Sequence, residues 1–138
     1  MKKDEQLLQE SFVRYIQLRY PNTRFCASLG GIRTSMTQAI KAKKGGYVRG
    51  FPDMQIMVAK GGFFGLFIEF KTEKGRVSSY QKQWLDDLNK EGYCAVVCKG
   101  INDAIETLDL YMSFEETTRS KDDLKQMCEK KWERKIKR

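Results

Sequence analysis

Histidine is absent from the sequence, and that gap removes several chemistries at once. Imidazole is the usual near-neutral general base and the commonest protein ligand for zinc, so serine–histidine triads, histidine-bearing zinc fingers and histidine-dependent nucleases are excluded. Four cysteines, Cys26, Cys94, Cys98 and Cys128, lack the close paired spacing of a zinc knuckle or a redox dithiol. In a reducing compartment they read as small buried hydrophobes. Long apolar runs are missing too. The most apolar stretch, residues 61–68, is far too short to cross a bilayer, and Met1-Lys2-Lys3-Asp4-Glu5-Gln6 leads into no apolar signal core. The expectation is a cytoplasmic protein with no membrane partner and no small-molecule cofactor. Any catalysis then rests on carboxylates, lysine and a cation held by oxygen.

What is present points to one folded domain that binds a polyanion. The chain has 138 residues, 41% hydrophobic and 32% charged, too apolar for disorder and long enough for one core. Its 26 basic and 18 acidic residues give a formal charge of +8, the balance expected of a nucleic-acid binder. The excess is uneven. From Arg119 to Arg138 there are nine basic and four acidic residues, so +5 of the +8 sits in the tail.

Apolar residues Leu8, Phe12, Tyr15 and Ile16 recur at helical spacing over residues 4 to about 19, and Pro21-Asn22 stops the pattern. Residues 24–28 read as a short strand and 34–44 as a polar, weakly helical stretch among glycine breaks. Residues 53–59 and 63–71 read as two strands joined by Lys60-Gly61-Gly62, which makes them antiparallel. A helix is expected from Ser78 to about Lys90, closed by Gly92. The run Tyr93-Cys94-Ala95-Val96-Val97-Cys98 reads as a strand covered on both faces. A last helix carries Ala104, Ile105, Leu108 and Tyr111 on one face. There is no internal repeat. The fold class is α/β, one central mixed sheet with helices on both sides.

Glu69 and Lys71 lie two apart on a strand and leave the same face, while Ile68 and Phe70 leave the other. Asp53, at the start of the preceding strand, brings a second carboxylate to the same end of the sheet. A hard cation takes one or two carboxylates plus waters and a phosphate oxygen, and Asp53 and Glu69 supply that minimum. Such a cation activates water and neutralises a phosphodiester, with lysine beside it to orient the water. An exposed Glu–Lys pair on a surface strand is the plain alternative. The apolar run before Glu69 counts against it, because charges at the end of a buried strand usually have a role.

These residues carry a resemblance. Gly50-Phe51-Pro52-Asp53, then Glu69-Phe70-Lys71, then Gly75, Ser79 and Gln81 resemble the PD-(D/E)xK nuclease superfamily, and more narrowly the VRR-NUC family with its small stand-alone phage and bacterial proteins. The likeness runs from about Glu5 to Met112. It implies a restriction-endonuclease-like nuclease domain over residues 1–112; the basic amphipathic helical extension over 113–138, which the likeness does not cover, is read from the tail's own residues. The implied activity is Mg²⁺- or Mn²⁺-dependent endonuclease cleavage of branched DNA such as a four-way junction, by a homodimer, in the host cytoplasm if phage-encoded. On the family pattern Asp53 and Glu69 are metal ligands, the Phe70 carbonyl is a further ligand and Lys71 serves the attacking water.

The family also places a glutamate on the first helix in a Glu-x-x-x-Gln pattern, matched by Glu5 and Gln9. At ~100° per residue, Glu5 lies about 20° from Phe12 and from Ile16, on the core side, whereas Glu10 points roughly 160° away from Phe12. Glu5 is therefore the candidate for metal or metal-water contact. Ser78-x-x-Gln81 is a capping box, and the family likeness adds an active-site contact for Gln81. Arg33 and Arg49 flank the glycine-rich approach to Asp53, with Lys41, Lys43 and Lys44 between them. Read as a loop, these five could track a DNA backbone, or the lysines could simply be solvated. In the tail, Leu124, Cys128, Trp132 and Ile136 repeat every four residues among basic ones, a helix suited to docking on the body or a second subunit, or to an anionic membrane surface.

The expected function is thus a metal-dependent DNA endonuclease. The rival from another class is a catalytically inactive nucleic-acid-binding module on the same fold. A metal-independent RNA-splicing nuclease is a second rival, weakened by the missing histidine.

Overall fold

The structure is a computed structural model that describes residues 3–29, 35–118, 126 and 129. Arg33 and the apolar stripe of the basic tail, Leu124, Cys128, Trp132 and Ile136, lie outside the described residues.

Eight elements follow one another: α1 (Lys3–Arg19), β1 (Phe25–Ala27), α2 (Met36–Lys44), β2 (Met54–Ile56), β3 (Leu66–Lys71), α3 (Ser79–Lys90), β4 (Cys94–Lys99) and α4 (Gly100–Ser113). The four strands form one sheet in the order β1-β2-β3-β4. β1–β2 and β2–β3 are antiparallel, and β3–β4, joined through α3, is parallel. This is the expected mixed sheet flanked by helices.

Side-chain alternation along β3 sorts the core into two layers. Leu66, Ile68 and Phe70 join Leu8, Phe12 and Ile16 of α1 and Ala104, Leu108 and Tyr111 of α4 on one face. Phe12 and Phe70 meet with ring centroids 5.1 Å apart. On the other face Phe67 and Ala95 pack under Leu85 and Leu88 of α3. All six residues of β3 are buried, so Glu69 and Lys71 leave toward the α3 face within a covered layer.

Three expectations change in detail. The paired part of β2 is shorter than residues 53–59, and β3 begins at Leu66 rather than Phe63. Backbone from after α4 takes over the intervening loop: Gly61 N–H donates to Glu115 O at 2.7 Å, Lys60 bridges Glu116, and Thr117 Oγ1 donates to Phe63 O at 2.9 Å. Residues 36–44, read both as weakly helical and as part of a basic loop, form helix α2. Its start is fixed by Ser35, whose side chain accepts from Gln38 N, while the Gln38 side chain accepts from Ser35 N.

Candidate active site

β2 and β3 stop pairing at Met54↔Ile68, and the site opens where they part. Beyond that pair the Phe70 amide has no ladder partner on β2. Asp53 supplies one from its side chain, Oδ2 accepting from Phe70 N at 2.8 Å. Ser28 N holds the Asp53 carbonyl from the β1 side at 2.8 Å, so Asp53 is fixed by its backbone and its carboxylate at once. A strand residue's N–H and C=O face the same neighbour, which puts the Phe70 carbonyl on the edge where Asp53 sits.

The approach to Asp53 is pinned to α3. Gly50 has φ +91°, and a Cβ there would lie 2.6 Å from the Tyr80 carbonyl carbon, so only glycine allows this contact. Phe51 meets Trp84 edge-on at 5.0 Å, Trp84 Nε1 donates to Arg49 O at 3.1 Å, and Pro52 is fully buried. The Arg49 guanidinium lies 4.6 Å over the Tyr80 ring.

Asp53, Glu69, Lys71, Glu5 and Gln81 meet in one cavity of about 370 Å³, which Tyr47, Arg49 and Arg76 also line. Glu69 is only 2% exposed and Lys71 8%. Lys71 Nζ lies 3.5 Å from Glu69 Oε1 and 4.0 Å from Glu5 Oε1. Gln81 serves two ends. Its backbone N–H donates to Ser78 Oγ and its Oε1 accepts from Ser78 N, closing the capping box. Its Nε2 donates to Glu69 Oε1 at 2.6 Å.

Both carboxyls are hard to ionise here. Burial, then the neighbouring Asp53 charge, pushes Glu69 up to about 8 against the pull of Lys71. Asp53 is raised as well, chiefly by burial, with the Phe70 amide working the other way. Burial raises the Tyr47 phenol, and the Glu69 and Asp53 charges add to that. The cavity thus sets the Glu69 and Glu5 carboxylates beside one ammonium, with Asp53 on the same wall. While Glu69 Oε1 is engaged, Oε2 is buried with no hydrogen-bond partner. Such an orphaned oxygen is costly unless a cation or proton meets it.

The donor set is all oxygen and suits a hard divalent cation. Among the described residues no group of three or more aspartate, glutamate, cysteine or histidine side chains is gathered to hold a metal ion. Mg²⁺ asks for less, one or two carboxylates with waters and substrate phosphate completing its octahedron. Asp53 and Glu69 meet that demand.

The other candidates divide. Glu10 is exposed and accepts from Gln6 Nε2, whereas Glu5 lines the cavity. Gln9 keeps its Oε1 buried without a partner and is not on the cavity wall. Lys41, Lys43 and Lys44 are exposed on α2 and also lie off that wall. Arg49 is on it. Sequence reasoning missed Tyr47 and Arg76. No motif spacing marks Arg76, while Tyr47 follows the C-cap of α2, with its N–H on Ala42 O at 2.9 Å, a position the Ser35 capping box would have revealed.

Residues 3–102 match the VRR-NUC domain. The chain belongs to the VRR-NUC family. It is thereby part of the PD-(D/E)xK nuclease superfamily, and the family assignment supports nuclease activity. A solved structure described as a VRR_NUC domain protein superposes with a TM-score of 0.71 at 29% identity, covering 84% of this chain and 93% of the other. The central mixed sheet flanked by helices is therefore the restriction-endonuclease-like fold of VRR-NUC domains. A search of curated proteins finds no match. Among the described residues no helix is long and apolar enough to cross a membrane.

Proposed function

We propose that this VRR-NUC protein is a Mg²⁺- or Mn²⁺-dependent DNA endonuclease selective for branched DNA, acting as a homodimer. The observation that carries the reading is the convergence of Asp53, Glu69 and Lys71 in one cavity, with a buried carboxylate oxygen left unpaired. Asp53, Glu69 and the Phe70 carbonyl would hold the cation, with Glu5 reaching it through water. A divalent ion there lowers the pKa of bound water and offsets charge on the phosphodiester.

The chain's own residues do the rest. Gln81 fixes the Glu69 carboxylate through Oε1, so that Oε2 keeps its direction. Lys71, held between Glu5 and Glu69, presents an ammonium to the attacking water and to charge developing on phosphate. Arg49 and Arg76 stand at the exposed rim of the cavity, where guanidinium groups suit the phosphates beside the scissile one. The homodimer follows from the substrate: two symmetric cuts about a junction need two sites related by a two-fold axis.

The experiment is a panel of labelled linear, flapped and four-way DNA with Mg²⁺, Mn²⁺ or EDTA, beside the mass in solution. Cleavage of branched DNA that needs the metal and vanishes in Asp53→Asn is expected. Shifted but uncut bands in every metal would assign the chain to the non-catalytic binding class. A monomer that still cuts would remove the dimer and leave the nuclease.

A further inference from the structure

Beside the catalytic cavity, on the same α3 face of the sheet, lies a second cavity of about 450 Å³. Gln55, Met57, Phe64, Phe67 and Tyr93 form its wall. The two are neighbours by strand register: Gln55 is two residues along from Asp53, and Phe67, its register partner, is two residues before Glu69. An aromatic row joins them. Phe51 of the catalytic cavity meets Phe67 edge-on at 5.8 Å, Phe67 meets Tyr93 at 5.3 Å, and Tyr93 meets Phe64 at 5.8 Å.

Phe64 and Met57 are 47% and 49% exposed, which is much for large apolar groups at the mouth of a cavity. The Gln55 side chain stands on the same wall, so the wall offers aromatic and thioether surface with one amide able both to donate and to accept. This is the chemistry that receives a nucleobase, stacking for its faces and a hydrogen bond for its edge. A base whose face and edge are both held by such a wall cannot at the same time be paired in a duplex.

We propose that the second cavity takes one unpaired nucleobase of the DNA, next to the nucleotide whose phosphate enters the catalytic cavity, because Gln55 and Phe67 continue the strand faces that carry Asp53 and Glu69. The proposal rests on the nuclease reading and deepens it: selectivity for branched DNA arises where a branch point supplies a base already free of its partner.

The test uses the full chain and two sets of branched DNA, identical but for a base or an abasic residue at the unpaired position beside the cut. Wild type should favour the base-bearing DNA by about 5- to 150-fold, and Phe64→Ala and Gln55→Ala should each pull that ratio toward one. A 2-aminopurine at the same position, bound to Asp53→Asn, should be quenched by stacking, and less so when Phe64→Ala is added. Equal rates for both DNAs with no quench overturn the proposal. So does an unchanged ratio in Phe64→Ala accompanied by a halved mass in solution, which would make the surface a subunit contact. If wild type cuts no DNA, the nuclease reading fails, and the quench alone still decides whether a base enters the cavity.

Discussion

Replacing Glu69 by glutamine should stabilise the metal-free protein while abolishing cleavage. The reason is the cost of keeping a charged carboxylate at 2% exposure beside Asp53. With Glu69 raised from 4.5 to about 8 in the fold, each pKa unit stands for about 1.4 kcal/mol of preference for the neutral form. At pH 7 the unfolded chain releases this proton and the folded chain keeps it, a difference of two and a half units or about 3 kcal/mol against folding. At pH 8 and above the full shift applies, about 5 kcal/mol. This figure already includes the attraction of Lys71, which favours the charged form. Glutamine copies the neutral carboxyl in size and still meets Gln81.

The sign follows from the direction of the shift. A carboxyl whose folded pKa is raised contributes no penalty below pH 4.5, and the penalty grows as pH climbs through about 8. Urea unfolding in EDTA should therefore give matching stabilities for wild type and Glu69→Gln at pH 4, with the variant ahead by about 3 kcal/mol at pH 7. Mg²⁺ at about 1,000 times its Kd should reverse the order at pH 7, because it adds about 4 kcal/mol to the form that binds it. A variant less stable than wild type at pH 8 in EDTA would refute the reasoning. It would mean that the ion pair with Lys71 outweighs the burial.

Ser78→Ala and Gln81→Ala should separate cap from site: the first costs about 1 kcal/mol of stability and the second also lowers cleavage by roughly 10- to 100-fold, compared by thermal melting and initial rates. Gly50→Ala should lose about 1–3 kcal/mol, since a Cβ at 2.6 Å from Tyr80 backbone forces the approach loop off α3, and cleavage should fall with it. At high pH, Tyr20, pushed up to about 12 by burial and by its hydrogen bond to Asp109, contributes stability that is intact below pH 10 and lost toward pH 12. Urea midpoints between pH 9 and 11 should accordingly drop more steeply for wild type than for Tyr20→Phe.

The fold was most legible where burial sets a period. Leu8, Phe12 and Ile16 recur at helical spacing because α1 lays one stripe on the sheet, and all three are buried. Alternation failed at residues 57–65, where Phe63 looks like strand but its carbonyl is claimed by Thr117, a partner more than fifty positions away. α2 reads as only weakly helical for the opposite reason, having no buried residue at all. Only its cap, Ser35 with Gln38, marks where it begins.

The site was legible to the extent that backbone geometry dictates residue type. Gly50 is a glycine because Tyr80 leaves no room for a Cβ, and Asp53 is a short carboxylate because it must reach the amide that β2 abandons at Phe70. Gln81 binds both Ser78 and Glu69 because a side-chain amide offers an acceptor and a donor on one head group. Tyr47 and Arg76 answer to no such local demand. They line the cavity from a helix exit and a turn, and only the folded sheet, by parting β2 from β3 at Asp53, gives them something to face.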